Sequence, residues 1–162
     1  MNGVDKEVFN PDGALTRGML VTILYRQAGN PDISGADNIF NDLAEGEWYS
    51  DAVKWASSNG IVTGYGDSLF GPNDNITRPD LVVVLSRYTD FMEKELSVSR
   101  EYTGFSDDND IADYAKAAVL KFYCAEVVNG KPDNIFDPNG QATRAEAAAM
   151  LRRFLEKIIE SL

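Results

Sequence analysis

The sequence contains no histidine and only one cysteine, and these two shortages exclude several kinds of site. Without histidine, serine–histidine and cysteine–histidine triads are excluded, and so are the usual zinc ligand sets. The single cysteine, Cys124, excludes an internal disulfide framework. Because Cys124 lies in the apolar stretch LKFYCAEVV, we expect a small buried side chain rather than a nucleophile.

Positive charge is also scarce. Against 26 acidic residues there are 15 basic ones, which leaves a net charge of −11. Binding to nucleic acid or to an anionic membrane surface needs a basic face, so this balance argues against both. No apolar run approaches the roughly 18 residues that span a bilayer. The 162 residues, 44% of them hydrophobic, are enough for one globular unit with a core.

What the sequence does contain is internal repetition. Three segments carry Phe-x-Pro followed five residues later by Thr-Arg, and each has a glycine six residues before the phenylalanine. Four positions at constant spacing in three copies indicate a repeat architecture. The segments are FNPDGALTRGM (9–19), FGPNDNITRPD (70–80) and FDPNGQATRAE (136–146).

The second and third copies also share an upstream half, which the first copy lacks. We therefore predict a single domain over residues 1–162, in which 1–29 form the second half of one repeat. Residues 40–96 form the second repeat, and 105–162 form the third with a C-terminal helical tail. Because the chain begins partway through a repeat, we expect it to be a piece of a longer protein.

Each complete repeat has the pattern of a helix, a loop and a second helix, so the predicted fold class is all-α. The second copy has apolar residues at helical spacing, Trp48, Ala52 and Trp55, and this pattern predicts that Trp48 is buried. Gly60 is expected to end this helix in a left-handed conformation. The loops are rich in Gly, Asn, Asp and Pro. Their three phenylalanines are expected to fill the core: Phe9, Phe70 and Phe136.

The threonines of the Thr-Arg pairs are explained as N-caps of the second helices. Thr143 and Glu146 form a full capping box. The arginines are not explained in this way, because a cation in the first turn opposes the helix dipole. Two hypotheses stay open: each arginine binds an acid of a neighbouring repeat, or each presents a planar charged fork to an anionic ligand.

These motifs resemble those of S-layer homology repeats. The second copy matches best, with FND, Trp48, GIVTGYGDSLFGP and ITRPD, and the third copy keeps FSD, FDP and TRAE. The resemblance implies tandem helix–loop–helix repeats in a pseudo-three-fold helical bundle. It also implies a non-catalytic anchor, without a cofactor, at the bacterial cell surface. The expected partner is a secondary cell-wall polysaccharide linked to peptidoglycan, with pyruvylated sugars held in grooves between repeats.

Carried over to this sequence, the resemblance implies a set of ligand-binding residues. Tyr114 replaces the tryptophan and Ala117 replaces the aspartate in the third copy. These departures favour a site around the complete second copy, near Arg78, Trp48, Asp51 and Asp67. The residues implied are Arg17, Arg78, Arg144, Trp48, Asp51 and Asp67. Core packing for Trp48 and closure of its own turn for Asp67 are the alternatives.

Three other interpretations compete with the anchor. The first is a structural or protein–protein interaction domain that has lost sugar binding. In that case the apolar stripe of the tail, Leu151 to Leu162, would pair with another chain. A carboxylate pair among Glu45, Glu47 and Asp51 would suggest glycoside hydrolysis, but acids at a helix start are typical of solvated N-terminal charge. The acidic run 107–110 lacks the ligand spacing of a calcium loop.

Overall fold

Threonine side chains set the start of three helices. In the computed structural model, which describes residues 9–160, Thr16, Thr77 and Thr143 each precede a helix. Each hydroxyl accepts a hydrogen bond from the backbone N–H three residues later, at 3.2, 3.3 and 3.1 Å respectively. The Glu146 carboxylate accepts in return from the N–H of Thr143 at 2.9 Å, so the predicted capping box is confirmed.

Helices dominate the fold, and the all-α prediction is confirmed. Within residues 9–160 there is no β-sheet, only isolated bridge pairs. Nor does this part of the chain contain a helix with the length and apolar character needed to cross a membrane. The α-helices are α1 (Arg17–Gln27), α2 (Ser50–Ser58), α3 (Arg78–Phe91), α4 (Asp113–Cys124) and α5 (Arg144–Glu160), with 3₁₀ turns at Asp108–Asp110 and Pro132–Asn134.

The chain divides into two compact units. The smaller unit is Leu15–Asn75, in which α1 packs against α2. The rings of Tyr25 and Trp55 meet there with centroids 5.5 Å apart. Helix α2 ends at Ser58, and Gly60 follows with a φ of +68°, the predicted left-handed stop.

The larger unit comprises Met1–Ala14 and Ile76–Leu162 and contains α3, α4 and α5. Phe154 of α5 contacts Tyr88 of α3 and Phe122 of α4, with ring centroids 6.2 and 5.9 Å apart. These aromatic contacts bury one face of each helix. Cys124, at the end of α4, is buried as the sequence predicted.

The prediction that Trp48 is buried was wrong. Helix α2 begins at Ser50, so Trp48 lies before the helix and outside its apolar stripe. Its side chain is 52% exposed, whereas the neighbouring Tyr49 is 6% exposed and takes the core position. The indole packs edge-to-face on Tyr49, with ring centroids 5.1 Å apart.

The loop phenylalanines fill the core in two of the three copies. Phe70 and Phe136 are fully buried, and Phe40 and Phe105 from the start of the same repeats pack against them at 5.4 and 5.3 Å. The prediction was wrong for Phe9, which is 38% exposed.

Candidate functional site

Each motif arginine is buried and binds the phenylalanine of another repeat's loop. The exposed fractions of Arg17, Arg78 and Arg144 are 7%, 2% and 4%. In each case the Nε–H donates to the backbone carbonyl of a Phe-x-Pro phenylalanine, over which the guanidinium also lies. The three hydrogen bonds are Arg17 to Phe70 at 2.8 Å, Arg78 to Phe136 at 2.6 Å and Arg144 to Phe9 at 2.9 Å.

The backbone of each motif arginine binds the same loop. The first turn of a helix has N–H groups without intrahelical partners, and the arginine N–H is one of them. It donates to a loop carbonyl four residues beyond the phenylalanine in all three copies. The bonds are Arg17 to Asp74 at 2.9 Å, Arg78 to Gly140 at 3.0 Å and Arg144 to Gly13 at 2.8 Å.

Two aspartates fix these loops from the other side. The Asp42 carboxylate accepts from the N–H groups of Phe70 and Gly71, at 2.8 and 2.7 Å. Asp107 repeats the arrangement on Phe136 and Asp137 with the same two distances. Each aspartate is therefore already bound by two backbone donors, and it holds the carbonyl that a motif arginine binds.

The arginine contacts answer part of the question that the sequence left open. Carbonyl groups are the main partners, and Arg78 also pairs with an acid, since its Nη1 lies 3.1 Å from the Glu146 carboxylate. Thus each arginine connects two copies of the repeat. Whether the same arginines also meet a ligand depends on what space remains beside them.

A pocket of about 160 Å³ opens beside Arg78 in the larger unit. One wall is a face of α5, on which the lining residues recur at helical spacing. The opposite wall is the loop of the third copy. The lining residues are Arg78, Asn129, Gly130, Lys131, Glu146, Ala149, Met150 and Arg153.

Charge in this pocket is mainly positive. Lys131 Nζ lies 2.6 Å from the Asp137 carboxylate and 3.2 Å from that of Glu146. The bond to Asp137 is the main cause that raises the pKa of Lys131. Arg153 Nη1 donates to the Val127 carbonyl over a long distance of 3.4 Å.

The pKa of Glu146 is held below its ordinary value. Burial alone would raise that pKa, but the N–H of Thr143 and the charges of Arg78 and Lys131 outweigh it. Burial lowers the pKa of Arg78, against the opposing effect of Glu146. A guanidinium nevertheless stays protonated in proteins, so Arg78 and Glu146 form an ion pair at neutral pH.

The smaller unit holds the other predicted residues. Arg17 lies over the Tyr65 ring at 4.6 Å and its Nη2 donates to the Thr63 carbonyl at 3.1 Å, so it contacts the loop that carries Asp67. Asp67 is exposed, with a φ of +63° in the turn. Arg17, rather than Arg78, is thus the motif arginine on this loop.

Trp48 and Asp51 lie at the start of α2 in the same unit. Both are exposed, and Asp51 lies in the first turn, where its charge suits the helix dipole. Burial of Tyr25 is the main cause that raises its pKa, and the negative charge of Asp51 raises that pKa further. The backbone of Gly18 passes close to Tyr49, so this end of α2 lies beside the start of α1.

Other candidate sites give no cluster. Among residues 9–160 no three His, Cys, Asp or Glu side chains lie close enough to hold a metal ion. The aligned loop residue of the first copy, Asp5, and the last residue of the tail stripe, Leu162, lie outside the described residues. Of the stripe, Leu151 is buried and Leu155 is half-buried.

Sequence reasoning missed Lys131, Arg153 and the two loop-binding aspartates. A signal existed for some of them, because Asp42 and Asp107 repeat in FND and FSD, and an arginine recurs nine residues after each motif arginine. Lys131 gives no such signal, since the aligned residue in the second copy is Tyr65.

Comparison with known proteins gives one consistent result. The sequence model of the S-layer homology domain matches residues 39–81 and 104–148. The chain is 33% identical over 157 residues to an amylopullulanase from Thermoanaerobacterium thermosulfurigenes, and 32% identical over 157 residues to the exoglucanase XynX from Acetivibrio thermocellus. It is 26% identical over 162 residues to a cellulosome-anchoring protein from Acetivibrio thermocellus.

These matches cover nearly all of the chain but little of each relative. In every case 97% of the chain is aligned, whereas it spans 8% of the amylopullulanase, 14% of the exoglucanase and 35% of the anchoring protein. The region shared with these proteins is therefore a small part of each.

Proposed function

The chain belongs to the S-layer homology domain family, and from this membership we propose that it is a non-catalytic module that anchors a longer protein at a bacterial cell surface. The family match carries the proposal. One relative is named as an anchoring protein, and two others are named as enzymes of which the shared region is a small part. An anchor carried by different enzymes and surface proteins would account for both.

The proposed ligand is a secondary cell-wall polysaccharide linked to peptidoglycan, bound through acidic, pyruvylated sugars. A polymer of this kind needs local positive charge in a chain whose net charge is −11. The pocket beside Arg78 supplies it, because Lys131 and Arg153 line the same space. Met150 and Ala149 add an apolar surface for the carbon face of a sugar.

Repetition favours a polymeric ligand. Arg17, Arg78 and Arg144 each connect two copies, so the chain repeats one local arrangement three times. Weak binding at more than one of these positions would add along a single polymer, because the second contact becomes intramolecular. The predicted site residues Trp48, Asp51 and Asp67 belong to this proposal on the smaller unit.

A second function is favoured by the burial of the motif arginines. Arg78, at 2% exposure, is already occupied by a carbonyl and a carboxylate, which is what a purely structural repeat would need. In that case the domain would act as a structural or protein–protein interaction module and would bind no wall polymer.

Co-sedimentation with purified cell-wall sacculi separates the two functions. We expect the chain to sediment with intact sacculi and to stay in solution once the acid-labile polysaccharide has been removed. Soluble polysaccharide fragments should compete, and fragments freed of pyruvate should compete less well. A folded chain that stays in solution with intact sacculi would contradict the anchor and support the interaction module.

A further inference from the structure

The most accessible cations in the pocket are not the motif arginine. Arg78 has an exposed fraction of 2%, and its Nε–H and Nη1 are occupied by Phe136 and Glu146. The Lys131 side chain also pairs with carboxylates, Asp137 and Glu146, but it is 33% exposed. Arg153 is half-buried, and its Nη1 donates to the Val127 carbonyl at 3.4 Å. An anion that enters the pocket therefore meets Lys131 and Arg153 first.

Resting on the proposed function, we propose that Lys131 and Arg153 are the residues that contact the acidic substituent of a sugar in this pocket. Arg78 stabilises the wall behind them by joining the loop to α5 through Phe136 and Glu146. The third copy would then bind its ligand through residues that the Thr-Arg motif does not contain.

Charges around the pocket favour an anion. Among the charged residues that line the pocket, three are cations, Arg78, Lys131 and Arg153, and one is a carboxylate, Glu146. The carboxylates of Asp137 and Asp107 also act on these cations, but they lie outside the lining. A carboxylate bound between a lysine and an arginine gains charge-assisted hydrogen bonds, which are stronger than neutral ones. The guanidinium of Arg153 offers a planar pair of donors for it.

The volume of the pocket limits what it can hold. Pockets for whole drug-sized ligands measure roughly 300 Å³ or more. This pocket has a volume of about 160 Å³ and is therefore smaller, so it holds the substituted end of one sugar rather than several sugars. Ala149 and Met150, one turn of α5 from Glu146 and Arg153, give it an apolar side.

Titration calorimetry with small probes tests the assignment. The probes are the pyruvate ketal of a methyl hexoside, its neutral methyl ester and a methyl uronoside, titrated into the whole chain. We expect the Lys131→Gln, Arg153→Gln double variant to bind the ketal at least roughly tenfold more weakly than wild type, because it loses both charged hydrogen-bond donors to the carboxylate. The methyl ester should bind both proteins equally weakly.

Lys116→Gln is the matched control, because it removes one positive charge from the larger unit at a lysine whose side chain is 53% exposed and outside the pocket. It should bind the ketal like wild type, and circular dichroism melts should show that all variants are folded. If the uronoside binds instead of the ketal and shows the same loss, the assignment holds and the acid is a uronate.

Two results would overturn the assignment. One is a double variant that keeps wild-type affinity for the ketal and for sacculi, in which case the anchor function stands and Lys131 and Arg153 take no part. The other is a folded Arg78→Lys variant that loses binding when the double variant does not. If wild type binds neither sacculi nor any acidic probe, the anchor function itself fails and the assignment falls with it.

Discussion

Replacing Arg78 by lysine tests whether the motif arginine stabilises the fold. Lysine keeps the positive charge but replaces the planar fork by a single ammonium group, which cannot reach two partners in different directions. In wild type the Nε–H of Arg78 donates to the Phe136 carbonyl at 2.6 Å, and its Nη1 lies 3.1 Å from the Glu146 carboxylate. The substitution therefore leaves at least one of these acceptors without its charged donor.

The expected loss follows from the burial of these groups. Hydrogen bonds to charged groups contribute about 1.5–3 kcal/mol, and removing one partner of a buried ion pair costs about 3–5 kcal/mol. Because lysine keeps its charge near Glu146, which is 24% exposed, we expect the lower part of that range, about 3 kcal/mol. For a domain of this size that corresponds to a melting temperature lower by about 6–12 °C.

Thermal unfolding followed by circular dichroism at neutral pH measures this change. Arg152→Lys is the matched control, since Arg152 lies on the same helix as Glu146, is 80% exposed and pairs with Glu156 in the adjacent turn. Its melting temperature should equal that of wild type. If Arg78→Lys also melted like wild type, the Arg78 contacts would not stabilise the fold, and the argument that Arg78 is structural would be wrong.

Three further predictions concern the same loops. Asp42→Asn and Asp107→Asn should each lower stability by about 2–3 kcal/mol in denaturant titrations, because each carboxylate accepts one backbone N–H on each of its two oxygens and the amide replaces one oxygen by an NH2 donor. An effect in only one of the two variants would contradict the equivalence of the two sites. Glu146→Gln should melt lower than wild type at neutral pH. The folded-state pKa of Glu146 lies below its ordinary value of 4.5. The difference in melting temperature between wild type and variant should therefore persist down to about pH 4.5 and shrink as the pH falls further. A difference that stays constant at lower pH would refute this prediction. Gly18→Ala should lower the melting temperature, because the added Cβ would lie 2.7 Å from the Pro72 carbonyl oxygen and this clash should outweigh the helix preference of alanine. A higher melting temperature would show that the contact relaxes.

Local chemistry explains why most of the fold could be predicted from the sequence. A threonine cap acts on N–H groups three residues away, so Thr16, Thr77 and Thr143 could be assigned without knowledge of the rest of the chain. The valines at 82–84 favour strand by propensity, yet they lie within α3, which Thr77 caps.

Errors arose where the outcome depended on contacts that the spacing of apolar residues does not show. The spacing of Trp48 fits the stripe of α2, but the helix starts at Ser50, whose hydroxyl donates to the Ala44 carbonyl at 2.6 Å and fixes the turn before it. Tyr49, not Trp48, then reaches the core. A pattern of apolar residues does not reveal such a competing turn.

The partners of the arginines were beyond sequence reasoning for the same reason. Arg78 and Phe136 are 58 residues apart, and only the fold shows that one binds the other. The pocket likewise combines Lys131, from a loop, with Arg153, from α5. Lys131 aligns with a tyrosine of the second copy, so the repeat pattern does not predict a cation at this position.

Repetition of a motif and contact with a ligand are separate properties in this chain. A residue that every copy needs in order to join the next copy must recur at a fixed spacing, whether or not a ligand is bound. Arg17, Arg78 and Arg144 meet that requirement through the loop carbonyls alone, so their recurrence is explained before any sugar is considered. A residue proposed to contact the ligand, such as Lys131, is free of that requirement and can differ between copies, as Lys131 and the aligned Tyr65 do. If the proposed ligand binds, variants at positions that differ between the copies should therefore change its preference more than variants at the shared motif.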